Sequence, residues 1–126
     1  MPAFERMSWH RRWLALDDAH KRQVEAWDRL NAHLERQPGW FALSEDYKAE
    51  VQRLCGLAEI EDRMRVIHRR LRRSLRALPK TPCRDLDGVV ANLRVAERLL
   101  PPEENRIVHG LIVRAARDLV QIRDAQ

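Results

Sequence analysis

The sequence is poor in the residues that build sheets and disulfide frameworks. Its 126 residues include only four glycines, two cysteines and seven aromatic side chains (four Trp, two Phe and one Tyr). Leu, Arg, Ala and Glu, which favour helices, are abundant instead. This composition predicts an all-α fold, and the length predicts a single helical domain over residues 1–126.

Long apolar runs are also absent. No segment approaches the roughly 18 apolar residues that a membrane-spanning helix needs, and the N-terminal segment lacks the apolar stretch of a secretory signal. We therefore expect a cytoplasmic protein. Cys55 and Cys83 are too few for a disulfide framework. A helix from Cys55 to Leu78 would span about 35 Å, farther than the following residues reach back, so we expect no bridge between the two cysteines.

Acidic residues are missing from one segment. Residues 63–84 carry nine basic and no acidic side chains, whereas residues 39–62 carry two basic and six acidic ones. The segments on either side, 1–38 and 85–126, are nearly balanced. The net charge of +5 therefore comes from one short segment, and the apolar spacing places seven of its nine basic residues on a helix.

The spacing of apolar residues predicts four helices, separated by proline and glycine. Ser8 is a good N-cap for the first helix, and Gly56 permits a bend in the second. The predicted ranges are about 8–37, 44–78, 86–100 and 102–124. We expect a four-helix bundle-like fold, in which the first two helices form a long antiparallel hairpin and the two shorter helices pack along it.

The second helix has two contrasting sides. Its apolar residues fall within roughly 80° on a helical wheel, and they are Leu57, Ile60, Met64, Ile67, Leu71, Leu75 and Leu78. Burial of each such side chain contributes about 1.5–3 kcal/mol, which commits that side to a partner surface. The opposite side, which we call the arginine face, consists of Arg65, Arg69, Arg72, Arg73 and Arg76.

Catalytic and metal-binding patterns are absent from the sequence. The five histidines form neither a His-x-x-x-His nor a Glu-x-x-His pair. No glycine-rich phosphate loop, nucleophile elbow or carboxylate pair stands out, and Cys83 has no histidine near it in the sequence. We predict a protein that is not an enzyme, with no metal, no cofactor and no small-molecule substrate.

Tryptophan is the one aromatic residue with a clear pattern. On the first helix Trp9, Trp13 and Trp27 share a stripe, where packing in the core is favoured over stacking on nucleic-acid bases. Trp40 and Phe41 lie in the turn that follows. Two aromatic residues in a short turn either plug one end of the bundle or form an exposed patch on which a partner docks.

Three interpretations of the arginine face follow. It is a solvated surface partly paired with acidic groups elsewhere, a binding surface for nucleic-acid phosphates, or a contact with an acidic protein surface, including a second copy in an antiparallel homodimer.

A membrane surface is less favoured, because the apolar side lacks Trp and Phe. A helix-turn-helix is disfavoured, because Glu103 and Glu104 would repel phosphate. The leading hypothesis is a non-enzymatic binding module for nucleic-acid phosphates; the alternative is a protein–protein adaptor or regulatory protein.

One segment, Thr81 to Val95, has the sequence TPCRDLDGVVANLRV. It resembles a family of small uncharacterised helical proteins of alphaproteobacteria, some of them encoded in or near prophages. The matching positions are Thr81, Pro82, Leu86, Gly88, Ala91, Leu93, Arg94 and Val95, whereas Cys83 and Asn92 depart from the pattern. The resemblance implies a helix start and assigns no functional residue.

Overall fold

A computed structural model confirms the all-α fold class. The structure describes residues 2–79 and 84–126, with the backbone alone at residues 2–8. Within these residues there are five α-helices and no strand: α1 Pro2–Glu35, α2 Glu45–Leu54, α3 Leu57–Arg76, α4 Leu86–Leu99 and α5 Arg106–Asp124. A short 3-10 turn, Trp40–Ala42, lies between α1 and α2. Over the described residues, no helix has the length and apolarity that crossing a bilayer requires.

The first helix begins earlier than the sequence predicts. It begins at Pro2 rather than after Ser8, because proline suits the first turn of a helix and no glycine or proline interrupts residues 3–37. Its end matches the expected stop, since Gly39 adopts a positive φ of 76° before the 3-10 turn. A positive φ is a conformation that glycine reaches without a steric penalty.

The predicted helix over 44–78 is divided in two at Gly56. This glycine has a φ of 92°, which an α-helix cannot contain. Its carbonyl accepts the first hydrogen bond of α3, from the amide of Ile60 at 3.1 Å, while the amide of Cys55 closes α2 on the carbonyl of Val51 at 2.9 Å. The anticipated bend is therefore a complete break between α2 and α3.

Side-chain caps set the starts of the last two helices. The Asp85 side chain accepts a hydrogen bond from the amide of Gly88 at 2.7 Å, so α4 begins close to the predicted residue. The Asn105 side chain accepts one from the amide of Val108 at 3.0 Å. Because this cap follows Pro101 to Glu104, which form a separate turn, α5 begins at Arg106 rather than at residue 102.

The chain forms two compact units. One consists of Ala15–Arg76, and the other consists of Met1–Leu14 together with Ala77–Gln126. The single domain over residues 1–126 stays a prediction.

In the unit Ala15–Arg76, α1 and α3 are antiparallel. Trp27 Nε1 donates a hydrogen bond to Glu61 Oε1 at 3.0 Å, and the rings of His20 and His68 lie 5.8 Å apart. His20 precedes Trp27 by seven residues, whereas His68 follows Glu61 by seven, so the two helices run in opposite directions. The hairpin closes on a buried core at the turn, formed by Leu34, Trp40 and Leu57 with the partly buried Trp27, Leu30, Leu43 and Val51.

In the other unit, the start of α1 belongs with α4 and α5. The rings of Trp9 and Trp13 are buried and stacked 6.4 Å apart, which confirms their packing role. His10, 1% exposed, donates through Nε2 to Asn92 Oδ1 at 2.6 Å. The helices α4 and α5 are antiparallel, as shown by the 2.7 Å ion pair that joins Arg123 near the end of α5 to Asp87 near the start of α4.

Some predictions fall outside the described residues. They include the thiol of Cys83 and the first residues, Thr81 and Pro82, of the segment with the family resemblance. Cys55 is a free cysteine with an exposed side chain.

Candidate functional site

The helix α3 is amphipathic, as its sequence predicts. Leu57 is fully buried and Leu71 is 7% exposed, and the residues Ile60, Met64, Ile67 and Leu75 of the same side are partly buried. Leu78 lies beyond the helix end and is 41% exposed. The apolar side therefore ends at Leu75, and its burial directs the opposite side of the helix towards solvent.

The arginine face is narrow and straight. At 100° per residue its five members fall within about 100° of arc, and at 1.5 Å per residue they extend over about 16 Å of helix. Every one of them has an exposed side chain. The helix therefore presents a single row of guanidinium groups.

Arginines at the start of α3 are paired with neighbouring acids. Arg63 lies 2.6 Å from Glu59, and Arg65 lies 2.9 Å from Asp62 and 3.7 Å from Glu61. These are exposed pairs at helical spacing, which contribute little to stability. They matter for the candidate site, because Arg65, which the sequence predicts as a binding residue, already forms ion pairs with two carboxylates.

The other four members of the arginine face have no such partner. Within the residues that the structure describes, no ion pair or side-chain hydrogen bond involves them: Arg69, Arg72, Arg73 and Arg76. The acids of α3 all precede residue 63, so none lies within one helical turn of these arginines. We call these four residues the free arginine row.

Like charges in this row repel one another. Its members form four pairs at i,i+3 or i,i+4 spacing, and each such pair costs about 0.2–0.5 kcal/mol on an exposed helix. The helix dipole offsets part of this cost for Arg73 and Arg76, which lie in the last turn. An anion bound across the row would relieve the remaining repulsion.

A groove runs beside the row, between α1 and α3. It has a volume of about 490 Å³ and is lined by His20, Met64, Arg65, His68 and Arg69. The two imidazole rings lie 5.8 Å apart with their planes tilted by 41°. Helical spacing alone puts His20 on the side of α1 that carries Trp13 and Trp27, and puts His68 beside the apolar side of α3. The sequence could not bring them together, because the register between two helices is a tertiary property.

The two aromatic residues of the turn have different environments. Trp40 is 6% exposed and packs with Leu34 and Leu57. Its ring is therefore not accessible to a partner, so the prediction of Trp40 as a docking residue is wrong and the interpretation as a plug applies to it. Phe41 is 72% exposed, with the ammonium of Lys48 5.9 Å from its ring. Only Phe41 is therefore placed to meet a partner.

Two acidic residues of α2 form ion pairs with basic residues of the same helix. On α2, Glu50 pairs with Arg53 and Glu45 lies 3.6 Å from Lys48. The hydrogen bonds from Arg53 lower the pKa of Glu50 and, in return, raise the pKa of Arg53. Because of the break at Gly56, the acidic α2 and the basic end of α3 belong to two separate helices. The antiparallel homodimer stays a prediction.

Known ligand-binding arrangements offer no further guide to the site. In the described part of the chain, no group of three or more His, Cys, Asp or Glu side chains is arranged to hold a metal ion. Comparison of the chain with protein-family models, with curated proteins and with solved structures gives no match.

Proposed function

We propose that the protein is a non-enzymatic binding module whose free arginine row contacts nucleic-acid phosphates. The observation that carries the proposal is the lack of acidic partners for Arg69, Arg72, Arg73 and Arg76 among the described residues. A solvated surface partly paired with acids, the alternative interpretation, fits Arg63 and Arg65 but not this row.

The row suits the charge and chemistry of a phosphate backbone. From Arg69 to Arg76 it extends about 10 Å along α3, the axial rise of about three base-pair steps of 3.4 Å in a duplex. Each guanidinium can bind a phosphate through two parallel hydrogen bonds. Neutralising phosphates releases their counterions, so the affinity should depend steeply on salt.

A protein–protein adaptor is the second candidate, favoured by the exposure of Phe41. A row of guanidinium groups also suits an acidic protein surface, and an exposed aromatic ring is a common anchor in such contacts. This candidate requires Phe41 and the arginine row, whereas phosphate binding requires the row alone. A Phe41→Ala variant therefore separates the two.

The test is a salt series with duplex and single-stranded oligonucleotides, measured by fluorescence anisotropy. The wild type should bind with micromolar Kd at low salt, and log K against log salt should fall with a slope of about −3.6 for duplex, or about 0.9 per phosphate contact. Replacing the row, Arg69/Arg72/Arg73/Arg76→Gln, keeps the helix-forming tendency and should remove most of the binding and of the slope.

A matched control changes the net charge equally but elsewhere. Arg22 and Arg29 lie on the side of α1 opposite His20 and Trp27, while Arg114 and Arg117 are on α5, and all four side chains are exposed. The variant with glutamine at these four positions should keep the salt slope of the wild type. Equal losses in the two variants would show binding to overall charge, and absence of wild-type binding at about 50 mM salt would refute the proposal.

A further inference from the structure

The groove between α1 and α3 adds an aromatic surface next to the free arginine row. His68 precedes Arg69 directly, and Arg72 follows His68 by one helical turn. We infer that this groove accepts an unpaired base of a nucleic acid whose phosphates lie on the row, so that the module selects single strands over duplexes. This inference rests on the proposed function and names the class of nucleic acid.

The imidazole rings of the groove are available for stacking. Within residues 2–79 and 84–126, neither His20 nor His68 has a hydrogen-bond partner for its ring. His68 is exposed and His20 is half-buried behind it. A base inserted between two rings needs about 3.4 Å on each side, more than the 5.8 Å ring separation allows. The base therefore stacks on the open face of His68, as histidine does in single-strand recognition.

The rest of the lining suits a flat, largely apolar ligand. The volume of about 490 Å³ falls in the range of about 300–1,000 Å³ typical of ligand pockets. Met64 contributes a thioether, which packs well against the edges of aromatic rings. Arg69, a member of the free arginine row, borders the groove, and its guanidinium group can stack on a base or bind its phosphate.

A duplex cannot use this groove. In a duplex each base is paired and stacked on its neighbours, so its face reaches a protein only after it has been extruded, at a cost of a few kcal/mol. The row of arginines contacts phosphates in either form. The histidine groove consequently contributes to binding of the single strand alone, and this difference is the basis of the selectivity.

A metal ion is a poorer occupant of the same groove. Two imidazoles supply two ligands, whereas stable zinc sites use three or four protein ligands, and the described residues offer no larger group. Arg69, which has no acidic partner among the described residues, also borders the groove, and its positive charge disfavours a divalent cation.

The experiment compares a single-stranded oligonucleotide of about 12 nucleotides with the duplex of the same sequence, each as DNA and as RNA. The His68→Ala variant should bind single strands about 5- to 150-fold more weakly than the wild type, the range expected for loss of one stacked base. Its duplex affinity and its salt slope should be unchanged, because no phosphate contact is lost. His33→Ala, which removes another exposed imidazole from the same unit, should leave all affinities unchanged.

A second variant separates stacking from hydrogen bonding and from damage to the fold. His68→Phe keeps an aromatic ring without the ring nitrogens and should retain single-strand binding within a few-fold. Equal loss in the Ala and Phe variants, or no loss in either, overturns the inference while the proposed function stands. A loss for duplex as large as that for single strand also overturns it. Wild-type protein that binds neither form refutes the proposed function itself.

Discussion

Replacement of Gly56 by alanine tests the break between α2 and α3. At a φ of 92°, an L-residue brings its Cβ too close to the neighbouring carbonyl, which costs about 1–2 kcal/mol. A Cβ built on Gly56 meets no other atom within 4 Å, so the backbone conformation alone determines the cost. We expect Gly56→Ala to destabilise the protein by about 1–2 kcal/mol.

The same substitution at Gly110 should have the opposite sign. Gly110 lies inside α5, has no positive φ, and its Cβ would also meet nothing within 4 Å. Alanine there restricts the unfolded chain and favours the helix, so Gly110→Ala should stabilise by about 0.4–1 kcal/mol.

Urea and thermal unfolding, followed by circular dichroism, measure both effects. With about 4–8 °C in Tm per kcal/mol for a domain of 60–100 residues, Gly56→Ala should lower Tm by about 4–16 °C, and Gly110→Ala should raise it by about 2–8 °C. A continuous helix through residue 56 would instead gain stability from Gly56→Ala, as any helix interior does. A rise in Tm for that variant would therefore refute the break.

Two further predictions concern the turn and α2. Trp40→Ala should destabilise the protein by about 3–5 kcal/mol, because the Trp40 residue is only 6% exposed. Phe41→Ala should change the free energy of unfolding by less than about 0.5 kcal/mol, because Phe41 is 72% exposed. Equal losses of stability in urea denaturation would contradict the role of Trp40 as a plug. The pKa of Glu50 should lie below the usual value of a glutamate because Arg53 donates hydrogen bonds to its carboxylate, and NMR titration of an Arg53→Gln variant should show this pKa rise. Stability from this pair is present above the unfolded pKa and lost as the pH falls through the lowered folded pKa, so an unchanged Glu50 titration would contradict the hydrogen bond.

The pairing of the arginines separates the two ends of α3. Near its start, carboxylates one turn away neutralise Arg63 and Arg65. Towards its end no carboxylate of the described chain reaches the row, and repulsion along the helix persists in the unbound protein. A charge arrangement that is unfavourable in the free protein is expected at a site that binds an anion.

The sequence alone was sufficient to predict the all-α fold class, and also the apolar side and the arginine face of α3. Apolar residues at helical spacing mark the side of a helix that becomes buried. The absence of acidic residues between Asp62 and Asp85 locates the surplus of positive charge from the sequence alone. The start of α4 could also be predicted, because Asp85 caps it through a local hydrogen bond. These properties depend on residues within a few positions of one another.

Other features required the tertiary structure. The sequence shows a glycine at position 56 but not its φ, which depends on how α2 and α3 both pack at the turn. The burial of Trp40 and the exposure of Phe41 depend on the direction in which the turn crosses Leu34 and Leu57. The meeting of His20 with His68 requires the antiparallel register of α1 and α3. Local patterns determine which side of a helix is apolar, but only packing between helices determines which residues face one another across a groove.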